Sequence, residues 1–179
     1  MFLKNAWYIA AWSRDIGDGL AARTILAEKV VLYRKSNGAV VALEDACVHR
    51  KLPLSRGRLI GDIVECGYHG MQFDCSGSCV LVPTQDSVPQ QARVKAYPVA
   101  EKWGFVWIWM GDPDAADESE IYEVANYDDP DWGTTDGGVL EANCNYLWLT
   151  DNLLDPSHVA WVHKTSFLAP GTDNTPLQT

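Results

Sequence analysis

The sequence has few cations, few histidines and no long hydrophobic run. Only 14 of its 179 residues are Lys or Arg, against 24 Asp or Glu, and the formal net charge is −10. Nucleic acids and anionic membrane surfaces are bound by clustered Lys and Arg, so both are disfavoured as partners. No apolar stretch is long enough to span a bilayer, and the N-terminus lacks the apolar region of a signal peptide. We therefore expect a cytoplasmic protein.

Several other signatures are missing as well. The five cysteines are odd in number and unevenly spread, which does not fit a disulfide framework. There is no internal repeat and no low-complexity tract. No G-x-G-x-x-G follows a strand-like run, which excludes dinucleotide binding by that route. With 47% hydrophobic and 21% charged residues, the composition is that of a globular protein.

The first 110 residues predict β-structure, because short runs rich in Val, Ile, Leu, Tyr and Trp lie between turn residues. Examples are residues 29–33, 39–43 and 105–109. The first two runs are joined through Asn37-Gly38, a strong hairpin signal. A turn is also predicted at Gly61-Asp62.

The sequence after residue 113 has a different composition and pattern. Residues 114–131 are acidic and predict a surface helix and loop, and 139–142 alternate as a strand would. Apolar spacing predicts a helix within 145–168, and 170–179 predict a loose tail. The fold class is therefore α+β: a mostly antiparallel β domain at 1–113, followed at 114–179 by a helical segment.

Two Cys–His pairs form the first candidate site. Cys47-Val48-His49 is followed by Cys66-Gly67-Tyr68-His69, in the pattern C-x-H-x16-C-x2-H. Each pair follows a strand-like run, so two facing loops would place four ligands around one centre. A structural zinc ion accepts two Cys and two His. A Rieske [2Fe–2S] centre needs two thiolates on one iron and two imidazoles on the other.

The distribution of the ligands favours the iron–sulfur centre. Zinc fingers usually take both cysteines from one knuckle, whereas each loop here supplies one Cys and one His. Gly67 and Gly70 allow close backbone approach to a cluster, and backbone N–H groups near Pro53 can donate to its sulfurs. Zinc stays open as the alternative. The other three cysteines lie outside the pattern, and Cys75 and Cys79 are interpreted as structural.

The other two histidines form the second candidate site, with Asp155, His158 and His163 set among apolar residues. We expect these three side chains in a buried or cleft environment, paired or bound to metal. Positions i and i+5 do not share a face of an ideal helix, so binding one ion requires a distortion, for example of π type. Pro156 suits the first position of a new helix.

The chemistry of this second set is that of a non-haem Fe(II) site. Two histidines and a carboxylate form the facial triad of oxygen-activating iron enzymes. The alternative is a pair of helix histidines held by hydrogen bonds in a core.

With both patterns in this order, the chain resembles the oxygenase (α) component of the Rieske non-haem iron aromatic-ring oxygenases. Within that family it is similar to the branch of the vanillate O-demethylase, dicamba monooxygenase and toluene-sulfonate monooxygenase iron–sulfur subunits. The resemblance covers nearly the whole chain. Besides the cluster loops it includes residues 5–10, 107–112 and 144–153.

The resemblance implies a role for each candidate residue. Cys47 and Cys66 would hold one iron of a [2Fe–2S] cluster, and His49 and His69 the other. The remaining positions would serve a mononuclear non-haem Fe(II): His158 and His163 as ligands, Asp155 as a carboxylate that bridges to a cluster histidine of a neighbouring subunit in a homotrimer, and Asn152 near the iron.

Two substitutions and the length depart from the family pattern. Val48 stands where proline is usual and Lys51 where glycine is common. Family members are roughly twice as long, and their second half supplies the carboxylate ligand to the iron. We therefore expect a catalytic domain truncated after the mononuclear-iron helix. Asp151 and Asp155 are the nearest substitutes for that ligand.

The resemblance implies an oxygenase component used in the catabolism of aromatic compounds. An NAD(P)H-dependent reductase with flavin and iron–sulfur centres would pass electrons through the Rieske cluster to the mononuclear iron. O2 would then hydroxylate or O-demethylate an aromatic substrate. Two alternatives stay open: a Rieske-type electron carrier without oxygenase activity, and a shortened, inactive remnant.

Overall fold

The computed structural model describes residues 2–135, 137–163 and 165. They divide into two compact units, one ending at Gly133 and the other beginning at Thr134. The first unit contains eleven strands and the second contains two short α-helices among the described residues. The predicted fold class, a mostly antiparallel β domain followed by a helical segment, is confirmed.

The strands of the first unit build three antiparallel sheets, in the orders β1-β11-β10, β2-β3-β4-β9 and β5-β6-β7-β8. Their bounds are β1 Trp7–Trp12, β2 Ala21–Ile25, β3 Glu28–Arg34, β4 Val40–Glu44, β5 Arg58–Ile60, β6 Ile63–Glu65, β7 Gln72–Phe73, β8 Cys79–Leu81, β9 Ala96–Tyr97, β10 Val99–Lys102 and β11 Phe105–Trp109.

Both predicted turns occur. Strands β3 and β4 pair around Asn37-Gly38, where Gly38 has φ +88°, a conformation that glycine adopts without steric cost. Strands β5 and β6 pair around Gly61-Asp62. Strand β3 is covered on both of its faces, since Val30, Val31, Leu32 and Tyr33 are all fully buried.

Two apolar clusters fill the first unit. Strands β3 and β4 contribute one of their faces to each cluster. One contains Val30, Leu32, Val106 and Ile108. The other contains Val31, Leu43, Leu54, Val64 and Phe73, together with the thiols of Cys47 and Cys66. The candidate cysteines are therefore part of a hydrophobic core, and their packing there holds the start of each loop in place.

The acidic segment after β11 contains no α-helix, contrary to the prediction. It forms two 3₁₀ turns, at Pro113–Ala115 and Glu118–Glu120, whose first N–H groups are capped by Asp112 and Asp117. The segment is attached to the sheet: Ile121 is buried, and the indole of Trp7 donates to the Asp117 carbonyl. Short Asp-initiated turns replace the helix because Asp and Ser side chains bond their own backbone.

The second unit begins without regular structure, so the strand predicted at 139–142 is wrong. Helix α1 spans Tyr146–Leu154 with Asn145 as its N-cap, and α2 spans Val159–Val162. Within the described ranges, no helix is long and apolar enough to cross a membrane. The predicted tail at 170–179 and the end of the predicted helix at 166–168 lie outside the described residues.

Candidate functional site

Two loops with nearly the same backbone carry the Cys–His pairs. The N–H of Cys47 donates to the carbonyl of Leu52, and the N–H of Cys66 to that of Met71, five residues on in each loop. Four residues after each cysteine, Lys51 and Gly70 donate back to the cysteine carbonyl and have φ of +56° and +73°. Two copies of one turn therefore hold the candidate ligands.

The two cysteines lie together beneath the surface. Each is 2% exposed, and the thiols of Cys47 and Cys66 are within interaction distance of each other without forming a disulfide. Burial raises the pKa of the Cys47 thiol; the backbone N–H groups of His49 and Arg50 oppose this rise, and the adjacent thiol adds to it. N–H groups that favour a thiolate also suit a metal-bound sulfur.

The two histidines lie above the cysteines at the surface. Their Nδ1 atoms are 3.2 Å apart, and the ring centroids are 4.5 Å apart. Two nitrogens bound to one tetrahedral ion at about 2.0–2.1 Å lie about 3.3 Å apart. The separation of the His49 and His69 Nδ1 atoms therefore fits a pair of ligands to a single ion. The exposed ring of Tyr68 lies against His69, with ring centroids 3.9 Å apart.

Asp45 anchors the first loop. Its carboxylate is 4% exposed and accepts both the backbone N–H and the hydroxyl of Ser55, each at 2.7 Å. This pair joins the residue before the first loop to the 3₁₀ turn at Leu54–Arg56. A buried carboxylate needs such donors because an unpaired one is costly.

The same 3₁₀ turn supports the second loop. A Cβ atom on Gly57 would stand 1.9 Å from the Glu65 carbonyl oxygen, and one on Gly67 would stand 2.9 Å from the Arg56 carbonyl oxygen. Only glycine allows these backbones to approach so closely. Gly67 could be identified from the sequence, whereas no local pattern singles out Gly57, Asp45 or Ser55, because their roles depend on contacts between distant segments.

A cavity of about 300 Å³ opens beside the histidine pair. Its wall is mostly apolar, and the segment from Val82 to Pro89 forms one side. The lining residues are His49, His69, Met71, Val82, Pro83, Thr84, Gln85, Pro89 and Ala92. The imidazoles can therefore be reached from outside, while the thiols lie in the core.

The second candidate set lies at the break between α1 and α2. Pro156 is at the start of a 3₁₀ turn spanning Pro156–His158, and the Asp155 side chain caps this turn by accepting the Ser157 N–H at 3.0 Å. The predicted distortion is therefore present, as a 3₁₀ turn rather than a π-type one. It brings the rings of His158 and His163 to a centroid distance of 5.6 Å.

One hydrogen bond fixes the tautomer of His158. Its Nδ1 lies 2.7 Å from the Asp155 carbonyl oxygen, and a carbonyl only accepts, so Nδ1 carries the proton. In the neutral ring the lone pair is then on Nε2, as in metal-binding histidines whose other nitrogen donates to a backbone carbonyl.

The expected burial of this set is wrong for Asp155, which is exposed, while His158 and His163 are half-buried. Hydrogen bonds from Ser157 hold the pKa of the Asp155 carboxyl below its ordinary value. Asn152, on α1, is also exposed, as are Leu149 and Leu153. The apolar pattern thus predicted the helix α1 correctly, but it did not predict that these side chains are exposed.

The described residues bring metal-type side chains together in pairs: Cys47 with Cys66, His49 with His69, and His158 with His163. Over these described ranges no His, Cys, Asp or Glu residues form a group of three or more suited to one ion. A thiolate pair and an imidazole pair suit a two-iron cluster better than one tetrahedral zinc ion.

The other cysteines are divided by exposure. Cys79 in β8 is buried and its thiol donates to the Leu81 carbonyl at 3.3 Å, as expected of a structural residue. Cys75 is exposed, and so is Cys144. Burial thus supports the structural interpretation for Cys79 alone.

Family comparison agrees with the fold and with the paired donors, which together define a Rieske iron–sulfur protein. Residues 6–98 match the Rieske [2Fe-2S] domain family. Residues 142–179 match the vanillate O-demethylase oxygenase C-terminal domain family. The chain belongs to the Rieske non-haem iron oxygenases, in the branch of the vanillate O-demethylase oxygenase subunits. The Rieske domain implies a [2Fe–2S] cluster.

The names of curated relatives agree with this family. The chain is 47% identical over 175 residues to the iron–sulfur subunit of the toluene-4-sulfonate monooxygenase system of Comamonas testosteroni. It is 39% identical over 179 residues to the vanillate O-demethylase oxygenase subunit of Pseudomonas sp. strain HR199. These matches cover 97% and 100% of this chain but 49% and 50% of the relatives. The chain therefore spans about half the length of the relatives it matches.

Solved structures give the same result. A crystal structure of dicamba monooxygenase bound to dicamba superposes with a TM-score of 0.85 at 41% identity, covering 91% of this chain and 49% of that one. Another is described as containing non-heme iron and dicamba, with a TM-score of 0.80. The family resemblance predicted from the sequence is confirmed.

Proposed function

We propose that the chain holds a Rieske cluster through Cys47, Cys66, His49 and His69. The observation that carries this assignment is the 3.2 Å separation of the two histidine Nδ1 atoms above a buried pair of thiols. The thiols would bind one iron and the imidazoles the other. The cluster would supply one-electron transfer, and the exposed imidazoles mark the face through which electrons enter or leave.

The proposed activity is that of the oxygenase component of a multicomponent aromatic monooxygenase. NAD(P)H would supply two electrons through a reductase. For O-demethylation, the aromatic methyl ether, O2, two electrons and two protons give a phenol, formaldehyde and water. The names of the relatives support this reaction class, and the family's second domain supports a mononuclear iron at His158 and His163. The cytoplasmic location stays a prediction.

Asp155 and Asn152 are proposed to act near that second iron. The cap that Asp155 makes to Ser157 fixes the turn before His158, and Asp155 would bridge to a cluster histidine of a neighbouring subunit in a homotrimer. Asp155→Asn tests the bridge: we expect electron transfer between the two centres to slow at least tenfold while both centres remain. An unchanged rate in an active assembly would refute the bridging role.

The first test is the content of iron and acid-labile sulfide per chain, with an EPR spectrum after dithionite reduction. We expect a Rieske-type signal and two sulfides per chain. Cys66→Ser should abolish the signal, while the matched control Cys75→Ser, an exposed cysteine outside the loops, should keep it. A chain without sulfide or the signal would refute the cluster assignment.

The iron count also tests the second site. Three irons per two sulfides are expected, falling to two in His158→Ala, and oxygen uptake coupled to product formation should follow when a reductase is supplied. Two irons in the wild-type chain, with the Rieske signal intact, would favour an electron carrier. That alternative has one structural observation on its side: the cluster loops lie in a unit that has its own buried core.

A further inference from the structure

A hollow of about 300 Å³ lies between the β2–β3 pair and the 3₁₀ turn at Leu54–Arg56. Its wall carries three cations, each from a different element: Arg23 from β2, Lys29 from β3 and Arg56 from the turn. We name this site the basic hollow. The chain as a whole has a formal net charge of −10, so three cations around one hollow are opposite in sign to the rest of the molecule.

Two of the three cations have no acidic partner. Over the part of the chain that the structure describes, neither Lys29 nor Arg56 forms an ion pair. Both side chains are exposed. A charge without a partner is available to a ligand, whereas a surface charge that is already paired gains little from a new one.

The third cation, Arg23, is held in place by the backbone. Its Nε donates to the Ala10 carbonyl at 3.1 Å, and its Nη1 donates to the Ala22 carbonyl at 2.8 Å. A guanidinium group has five N–H donors, so the others remain for a ligand. Because these two bonds fix the orientation of the group in advance, a ligand would cost Arg23 little conformational entropy.

One carboxylate, Asp45, also lines the basic hollow. It is buried, and it accepts both the N–H and the hydroxyl of Ser55. Three cations and one carboxylate leave a charge of +2 among these groups. A further donor is the exposed hydroxyl of Thr24, which lies opposite Lys29 in the β2–β3 register and also lines the hollow.

We propose that the basic hollow binds a phosphate group, either as the free ion or as part of a small phosphate ester. A phosphate group carries a charge of about −1.5 to −2 near pH 7, which matches the +2 of the hollow. Guanidinium and ammonium groups are its usual donors in proteins. A volume of about 300 Å³ is at the lower end for small-molecule sites, so a small ester fits as well as the free ion. The site does not depend on the proposed cluster.

A bound phosphate would join the 3₁₀ turn to the sheet, because Arg56 lies in the turn whereas Arg23 and Lys29 lie in β2 and β3. The turn is closed by the bond from the Gly57 N–H to the Leu54 carbonyl. A ligand that bridges the turn and the sheet opposes local opening of this bond. Phosphate is therefore expected to stabilise the segment that supports both cluster loops.

Equilibrium dialysis of the whole chain against ³²P-labelled phosphate tests the site directly. Ionic strength is held at about 150 mM with potassium chloride, where salt screens charge beyond about 8 Å. We expect saturable binding of about one phosphate per chain, with a dissociation constant on the order of 1 mM. Uptake that does not saturate, or no uptake at about twenty times that concentration, would overturn the proposal.

Lys29→Gln and Lys35→Gln are a matched pair of variants, since each removes one lysine charge near an end of β3. Lys35 follows the strand about 20 Å from Lys29 and does not line the basic hollow. Lys29→Gln should weaken phosphate binding about tenfold, and Lys35→Gln less than about twofold. Equal weakening by the two substitutions would refute the hollow as the site.

Thr24→Glu blocks the basic hollow without removing a cation. The new carboxylate would lie opposite Lys29 and take the place of the phosphate. Phosphate binding should be lost, while the urea midpoint of unfolding stays within error of the wild type because Thr24 is exposed. Unaltered phosphate binding in this variant would contradict the proposal.

Competition with glucose 6-phosphate distinguishes the two sources of the phosphate group. If the ester displaces labelled phosphate at a lower concentration than unlabelled phosphate does, the site is one for phosphate esters. Weaker competition assigns it to the free ion, and both results support an oxyanion site in the basic hollow.

Hydrogen exchange of the amides at 54–57 tests the effect on the turn. Exchange of the Gly57 N–H should slow several-fold in saturating phosphate, and Arg56→Gln should remove this protection together with most of the binding. Binding without protection in the wild type would refute the bridge between turn and sheet. These readouts need neither iron nor sulfide, so they stay decisive if the EPR test refutes the proposed function.

Discussion

Lys51 stands in a backbone conformation that glycine adopts at the equivalent place in the other loop, Gly70, with φ of +56° against +73°. A residue with a Cβ loses roughly 1–2 kcal/mol in this region. Glycine gains some unfolded-state entropy, which offsets part of that. We therefore expect Lys51→Gly to raise the free energy of unfolding by about 0.5–1 kcal/mol in urea titrations.

Lys51→Ala is the matched control for this prediction, because it removes the exposed ion pair with Glu44 but keeps the strained backbone. Its free energy of unfolding should change by less than about 0.5 kcal/mol. If alanine and glycine stabilised the chain equally, the charge of Lys51 rather than its backbone would be the cause.

Asp45 is the second residue whose substitution is informative. Asp45→Ala leaves the Ser55 N–H and hydroxyl without their buried acceptor and should cost about 2–3 kcal/mol of stability. Ser55→Ala removes only the hydroxyl bond and should cost about 1 kcal/mol. Urea titration measures both, and sulfide per chain should fall more in Asp45→Ala. Equal losses would mean that the backbone N–H bond contributes nothing.

At the scale of the element, the 3₁₀ turn at Leu54–Arg56 decides how closely the two loops approach. Gly57→Ala would drive a Cβ to 1.9 Å from the Glu65 carbonyl oxygen, next to Cys66. Backbone must move, so we expect a loss of more than about 2 kcal/mol and a clear fall in cluster content, measured as sulfide per chain. Gly19→Ala, with no heavy atom within 4 Å, should leave both unchanged.

Some elements of the fold could be predicted from the sequence and others could not. The hairpin at Asn37-Gly38 and the strands at 29–33 and 105–109 were predictable because short apolar runs between turn residues decide them. The paired ligands were predictable because each Cys–His pair follows a strand. The acidic segment was mispredicted as helix since its Asp residues cap short turns instead. The surroundings of α1 depend on tertiary contacts, which local spacing does not encode.

For the whole molecule, Glu28 joins three distant segments. It accepts from Lys4 at 2.5 Å, from Lys95 at 3.1 Å and from the Tyr97 hydroxyl at 2.9 Å. Burial alone would raise the pKa of Glu28, but the hydrogen bonds from Lys4, Tyr97 and Lys95 outweigh it and lower the pKa to about 2.

The sign of the pH effect follows from that lowered pKa. The stabilisation by Glu28 is fully present above its ordinary value of 4.5 and is lost as the pH falls towards about 2. Glu28→Gln should cost about 1 kcal/mol at pH 7 and flatten the fall in stability over this range, followed by urea titration at several pH values. The matched control Glu120→Gln, at an exposed position, should change neither the stability at pH 7 nor its dependence on pH. An unaltered pH profile in Glu28→Gln would contradict the lowered pKa of Glu28.

The pairing of β1 with β11 delays the formation of one sheet until late in the synthesis of the chain. Trp7 leaves the ribosome roughly 5–20 s before its neighbour Trp109, at a synthesis rate of about 5–20 residues per second. During that delay β1 has no partner strand, whereas β2, β3 and β4 can already pair with one another. The two cluster loops emerge within this interval. In a nascent chain the candidate ligands of both loops are therefore available before the sheet of β1, β10 and β11 can form.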